Sequence, residues 1–269
     1  MRTNRPGSRQ ASRSCETAPV TWLLDLDGVV WLTGTAIPGA ADAVARLRGA
    51  GEQVAFFTNN SSPLLADHVA HLAAAGIETD PASILTSAQA AASVLPARSR
   101  AAVVGGPGIS EALLERGIEV VAAHDHPDAV VVGRTTTFTY DALSDASVAI
   151  RAGARFVATN ADATLPTPDG PVPGAGAIVA FLSVASGREP EITGKPSRAG
   201  ADLVAARVGV VDVAVGDRPD TDGRFAVLTG SRFVLVLSGV TRPGDLPVEP
   251  APDLVVADLA EAVERLAGR

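Results

Sequence analysis

The chain has 269 residues, enough for one large domain or two smaller ones, and its 46% hydrophobic and 19% charged residues suit a soluble globular protein. A formal net charge of −8 argues against non-specific binding to nucleic acid or to an anionic membrane surface. No apolar run approaches the roughly 20 residues of a membrane span, and the single cysteine, Cys15, excludes an internal disulfide and fits a reducing, cytoplasmic setting.

Residues 1–18 carry Arg2, Arg5, Arg9 and Arg13 among serines without apolar periodicity, the composition of a disordered tail. A transit peptide is the sharper alternative, but no amphipathic pattern supports it. The run Val20 to Leu24 is continuously apolar, as expected for a strand buried on both faces of a parallel sheet. It ends in Asp25-Leu26-Asp27-Gly28, where the carboxyl end of such a strand places ligands. Two ionised carboxylates ~4 Å apart at an effective dielectric of about 20 repel by on the order of 4 kcal/mol. One must keep its proton, or a cation must sit beside them. A strand followed by an ordinary Asp-Gly turn is the bland alternative.

A helix is expected from Ile37-Pro38-Gly39 to Arg48, then a second buried strand over Val54 to Phe57. That strand ends in Thr58-Asn59-Asn60-Ser61-Ser62-Pro63, hydroxyls and amides suited to cradling an anion. Ser62 before Pro63 reads as the cap of the next helix, Leu64 to Ala75, on which His68 and His71 are expected to be solvated. Thr86 to Leu95 is a further helix. The glycines of Gly106-Pro107-Gly108 lack the full spacing of a dinucleotide loop.

Strands over Ala101–Gly105, Ile118–Val121, Ala129–Val132 and Arg155–Ala158 alternate with helices over Tyr140–Arg151 and Ala177–Ser186. This rhythm sets residues 97–189 apart as an α/β module inserted between residues 19–96 and 190–269, which together form the other unit. Lys195, the only lysine in the chain, falls in the loop before a helix that Pro196 and Ser197 open. A site that needs a compact ammonium is where arginine substitutes worst. Val211 to Val215 is another buried strand and ends in Gly216-Asp217-Arg218; Asp220 reads as a solvated turn residue, and Asp222 as returning to the same cleft. Strands at Phe233–Leu237 and Leu254–Val256 and a helix from Ala257 to Leu266 close the chain. Carboxylates at strand ends, a hydroxyl and a lone ammonium are what a Mg²⁺–phosphate site requires.

In order, Asp25-Leu26-Asp27-Gly28, Thr58-Asn59-Asn60, Gly194-Lys195-Pro196 and Gly216-Asp217-Arg218 with Thr221-Asp222 resemble the motifs of the haloacid dehalogenase-like (HAD) phosphatases. Phe138-Thr139-Tyr140, Ala158-Thr159-Asn160-Ala161-Asp162 and Pro173-Gly174-Ala175-Gly176-Ala177 look like the inserted cap of one group within them, subfamily IIA. That group includes 4-nitrophenyl, glycerol-3-phosphate, phosphoglycolate and pyridoxal phosphate phosphatases. The resemblance, from Trp22 to Leu266, implies a Rossmann-like doubly wound parallel sheet with an α/β cap.

It further implies a Mg²⁺-dependent phosphatase of small phosphomonoesters working through an aspartyl-phosphate. In that picture Asp25 is the nucleophile and Asp27 the general acid and base. Thr58, the Asn59 backbone and Lys195 hold the phosphate. The Asp25 carboxylate, the Asp27 carbonyl and Asp217 bind the metal, and Asp222 orients metal-bound water. Asn160 and Asp162 of the cap are candidate substrate contacts. The expected partner is a small phosphorylated metabolite, with a homo-oligomer left open. Gly133-Arg134-Thr135-Thr136, Gly223-Arg224 and Ser238 depart from the group's pattern; Gly223 is expected to loosen the helix after Asp222 by about 1 kcal/mol. A mutase on the same fold and a catalytically silent homologue are the alternatives.

Overall fold

The apolar run before Asp25 becomes the strand Thr21–Leu24, buried along its whole length. It lies near the middle of a six-stranded sheet in a computed structural model that describes residues 19–267 apart from 33, 166, 168 and 169. The tail expected over residues 1–18 lies outside the described residues. From one edge to the other the strands run Leu254–Val256, Arg232–Val236, Val213–Gly216, Thr21–Leu24, Gln53–Thr58 and Ile84–Thr86, every neighbouring pair parallel.

Successive side chains of a strand point to opposite faces. Trp22, Leu24 and Phe56 therefore pack with Val44 and Leu47 of the helix Ala40–Gly49 and with Leu259 and Val263 of the helix Leu259–Leu266. Leu23, Ala55 and Phe57 pack on the other side with Val204 of the helix Arg198–Arg207 and Phe225 of the helix Arg224–Thr229. Covered faces on both sides explain why these strands read as unbroken apolar runs.

A second sheet of five parallel strands runs in the order Glu191–Ile192, Arg155–Ala158, Ala129–Val132, Arg100–Val104, Glu119–Val120. The helices Tyr140–Arg151 and Ala175–Ser186 cover one face through Leu143, Ile150, Ile178 and Leu182. The helices Ser87–Ser93 and Pro107–Glu115 cover the other through Ala88, Ala91, Ile109 and Leu113.

The helix after Asn60 starts later than expected, over Leu65–Ala74. Its first turn is capped by Asp67, whose carboxylate accepts the Leu64 N–H at 3.1 Å. Ser62 is consequently not a cap; its carbonyl takes the N–H of Gly108 at 3.1 Å. Gly106 and Gly108 have a steric job here, because a methyl group on either would overlap Ser62 or Pro63. His68 is buried rather than solvated, with Nε2 3.2 Å from the Asn60 carbonyl. His71 is exposed and meets the Trp31 ring edge-on at 6.1 Å between centroids. Gly223 does not loosen a helix end. It lies in a π-helical turn, Pro219–Gly223, that runs directly into the helix Arg224–Thr229, and an added methyl group there would meet the Phe233 ring at 2.8 Å.

Candidate active site

Parallel register brings the carboxyl ends of Val213–Gly216, Thr21–Leu24 and Gln53–Thr58 side by side, with Leu24 opposite both Val215 and Phe56. Asp217, Asp25 and Thr58 therefore open into one cleft. Asp25 is fixed through its backbone, whose N–H donates to the Val215 carbonyl at 3.0 Å. Carboxylate oxygens of Asp25, Asp217 and Asp222 all lie within 4.8 Å of one another. Such crowding needs close backbone approaches. A methyl group on Gly28 or Gly239 would overlap the Asp217 carboxylate, and one on Gly216 would overlap Asp222. Gly28 also holds φ +85°, a conformation that side-chain-bearing residues rarely adopt.

Lys195 enters from the loop before the helix Arg198–Arg207, capped by Ser197 through the Gly200 N–H at 3.1 Å. Its ammonium is buried and bridges Asp222 Oδ1 at 2.6 Å and Asp25 Oδ1 at 2.9 Å. It also lies 5.6 Å from the centroid of the Phe57 ring. Burial works against the charged lysine, but the Asp222 and Asp25 carboxylates outweigh it and hold the ammonium above its ordinary value.

The carboxylates are driven the other way. Burial raises Asp25 well above the usual carboxylate range; Lys195 opposes this, while Asp222 and Asp217 add to it. Burial and the neighbouring Asp222 push Asp217 up to about 7. Asp217 Oδ2 accepts the Val240 N–H at 2.6 Å, but its Oδ1 is buried without a hydrogen-bond partner. A buried, unpaired carboxylate oxygen facing two more carboxylates fits a hard divalent cation. Mg²⁺ suits the donor set that Asp25, Asp217 and Asp222 bring together. Asp222 is already committed to Lys195 through Oδ1 and to the Arg218 N–H through Oδ2 at 3.1 Å.

Asp27 lies outside the three-carboxylate group, on the same cavity, with Oδ1 accepting the indole N–H of Trp31 at 3.0 Å. Burial raises its carboxyl despite that hydrogen bond. The buried Thr58 hydroxyl accepts the Asn60 N–H at 3.0 Å and keeps its own hydrogen for another acceptor.

The cavity measures about 70 Å³, and its far wall comes from the second sheet's loops: Arg134, Asn160, Asp162 and Thr164. The Asn160 amide, however, donates to the Asn59 carbonyl at 2.7 Å, and its oxygen accepts the Asp162 N–H at 3.1 Å. Asn160 thus shapes the wall more than it faces the cavity. Burial raises the Asp162 carboxyl, against the opposing charge of Arg218. Sequence reasoning singled out neither Trp31, Arg218 nor the Val240 N–H for the site. The Val240 N–H belongs to a backbone, which a pattern of side chains does not report.

Residues 22–119 match the family model described as haloacid dehalogenase-like hydrolase, and residues 192–262 match one described as HAD-hydrolase-like. A dihydroxyacetone phosphatase of Corynebacterium glutamicum is 34% identical over 91% of this chain and 92% of its own length. A 4-nitrophenylphosphatase structure from Thermotoga maritima superposes with a TM-score of 0.85 at 33% identity, covering 91% of this chain and 97% of that one. A glycerol phosphate phosphatase from Mycobacterium tuberculosis, solved in complex with magnesium, gives a TM-score of 0.84 at 35% identity over 90% of this chain and 75% of the other. No helix among the described residues is long and apolar enough to cross a membrane.

Proposed function

The chain belongs to the haloacid dehalogenase-like hydrolase family, and on that premise we propose that it hydrolyses small three-carbon phosphomonoesters, with Asp25 as nucleophile and Asp27 as acid and base. The observation that carries this reading is the joining of Asp25 and Asp222 through one buried ammonium beside Asp217, whose Oδ1 has no hydrogen-bond partner.

Asp25 attacks phosphorus through a carboxylate oxygen, and the phosphorus–oxygen bond to the leaving group breaks. The departing alkoxide takes the proton of Asp27, which burial keeps available by raising the carboxyl. Water then attacks the aspartyl-phosphate and gives a proton back to Asp27, and the bond between phosphorus and Asp25 breaks to release inorganic phosphate. Lys195 and the Thr58 hydroxyl offset the charge of the transferring group throughout. Bound beside Asp25 and Asp217, Mg²⁺ supplies further neutralisation of the phosphate oxygens, which a carboxylate cannot otherwise approach. We take the second sheet's unit, residues 97–189 together with the helix Ser87–Ser93 and the strand Glu191–Ile192 that complete it, as the cap that closes this cleft.

The names of the relatives, a dihydroxyacetone phosphatase and a glycerol phosphate phosphatase, support a three-carbon leaving group over a nucleoside. The polar wall of Arg134, Asp162 and Thr164 suits hydroxyls. The test is phosphate release from 4-nitrophenyl phosphate with and without Mg²⁺, followed by a panel of phosphorylated metabolites. D25N is expected to abolish turnover; a variant that keeps most of its activity would end the proposal. Faster turnover of a nucleoside monophosphate than of glycerol 3-phosphate or dihydroxyacetone phosphate would overturn the substrate class.

A further inference from the structure

The side chain of Asn59 sits at the edge of the cleft but is turned away from the phosphate position. Its Oδ1 accepts the N–H of Lys195 at 2.8 Å, and its Nδ2 donates to the carbonyl of the same residue at 3.0 Å. A primary amide is one of the few side chains with a donor and an acceptor side by side to clasp both backbone groups of one residue. Gly194 permits the approach, since a methyl group there would overlap Asn59 Oδ1 and the Thr159 carbonyl.

The second hydrogen of the Asn59 amide points to Asp162 Oδ2 at 3.3 Å. The Asn59 carbonyl accepts from Asn160 Nδ2 at 2.7 Å and from Ser87 Oγ at 2.8 Å. Asn160 Oδ1 in turn holds the Asp162 N–H at 3.1 Å. A closed ring of hydrogen bonds therefore joins Asp162, on the leaving-group wall, to Lys195, against Asp25. With both amide hydrogens committed, the side chain of Asn59 offers the cleft only an acceptor, which repels an anion.

We propose that Asn59 is a positioning residue whose side chain sets the Lys195 loop and the Asp162 loop as one unit and does not bind the phosphate. The proposal rests on the phosphatase reading. It assigns the leaving-group wall and the ammonium a shared placement, so that disturbing one displaces the other.

The test uses the full chain saturated with Mg²⁺ and two substrates, 4-nitrophenyl phosphate and glycerol 3-phosphate. N59D keeps the size of the side chain but removes both donated hydrogen bonds. Because small displacements of aligned groups are costly to rate, its kcat is expected to fall about 10- to 100-fold on both substrates. In the charge-matched double variant N59D/D162N, KM and the inhibition constant of inorganic phosphate should stay within about threefold, with circular dichroism unchanged. The double variant N59D/D162N restores a donor across that contact and should recover part of the lost kcat.

A folded N59D with wild-type kcat overturns the proposal. So does a loss in N59D/D162N, whose net charge matches wild type, carried by KM together with weaker phosphate inhibition, which would mark direct phosphate binding. If N59D does not fold, N160A opens the same ring from its far side; it should lower kcat with little change in KM, and a wild-type kcat overturns the proposal. Wild-type protein without Mg²⁺-dependent turnover overturns the phosphatase reading itself, whereas active wild type beside an unaffected N59D overturns only the role of Asn59.

Discussion

Asp217 is the carboxylate whose replacement should separate metal binding from folding. Its carboxyl is raised from 3.8 to about 7 by burial and by the neighbouring Asp222, and its Oδ1 has no hydrogen-bond partner. A group with a raised folded value contributes fully below the unfolded value of 3.8, and that contribution is lost as pH rises through about 7. At pH 8 without divalent cations, ionised Asp217 therefore weakens the fold. About three units at 1.36 kcal/mol each amount to on the order of 4 kcal/mol. In D217N the amide oxygen can keep the Val240 N–H, and the amide nitrogen faces the carboxylates as a neutral donor. Melting followed by circular dichroism in a chelator at pH 8 should show D217N above wild type by roughly 10 °C. The gap should shrink as pH falls from 7 towards 4. Saturating Mg²⁺ should raise the wild-type midpoint and leave that of D217N nearly unmoved. A D217N protein that melts at or below wild type in chelator, or gains as much from Mg²⁺, would refute the cation-site reasoning.

Trp31→Phe removes the indole N–H that stabilises ionised Asp27, so the Asp27 carboxyl, already raised by burial, should rise further. The alkaline limb of the kcat/KM profile should move to higher pH with a several-fold loss of rate; an unmoved limb would detach Trp31 from the acid. Burial lowers His68 below its ordinary 6.5, so wild-type stability should be full above pH 6.5 and decline as pH falls through the folded value. His68→Gln should cost about 1 kcal/mol at pH 8 yet narrow the gap at pH 5, read from urea midpoints; a gap that widens in acid would count against the neutral buried imidazole. Gly223→Ala gains about 1 kcal/mol from helix propensity but forces a methyl group against the buried Phe233 ring at 2.8 Å, so a net loss of about 1–2 kcal/mol is expected. A stabilised G223A would show that the ring yields.

The doubly wound sheet was legible because its physics is written locally. Strands covered on both faces must be apolar without interruption, so Thr21–Leu24 and Val213–Gly216 announce themselves, and an aspartate just after each has nowhere to go but the carboxyl edge. Lys195 stood out for a similar reason: in a chain whose other basic residues besides histidine are arginines, a lysine marks a place that a planar guanidinium does not fit. Parallel register then brings Asp25, Thr58 and Asp217 together, because their strands are neighbours.

What escaped the sequence depends on what stands opposite a residue in space. His68 carried a signal, four residues before the buried Leu72 on the same helix face, but a histidine there reads equally well as solvated. Ser62 lost its role as a cap because Asp67 caps the helix from within and Gly108 claims the Ser62 carbonyl. Gly223 looked like a weakness by helix propensity; the Phe233 ring, ten positions along the chain, turns it into a requirement. The same logic governs the carboxylate cluster. Its mutual repulsion is set against a buried ammonium and against glycines at 28, 216 and 239, whose missing side chains let the backbone close around Asp217 and Asp222. A side chain at any of those glycines would overlap Asp217 or Asp222 and displace its carboxylate. It would also destroy the converging oxygens that fit a divalent cation, so the unfavourable arrangement is retained where the chemistry needs it.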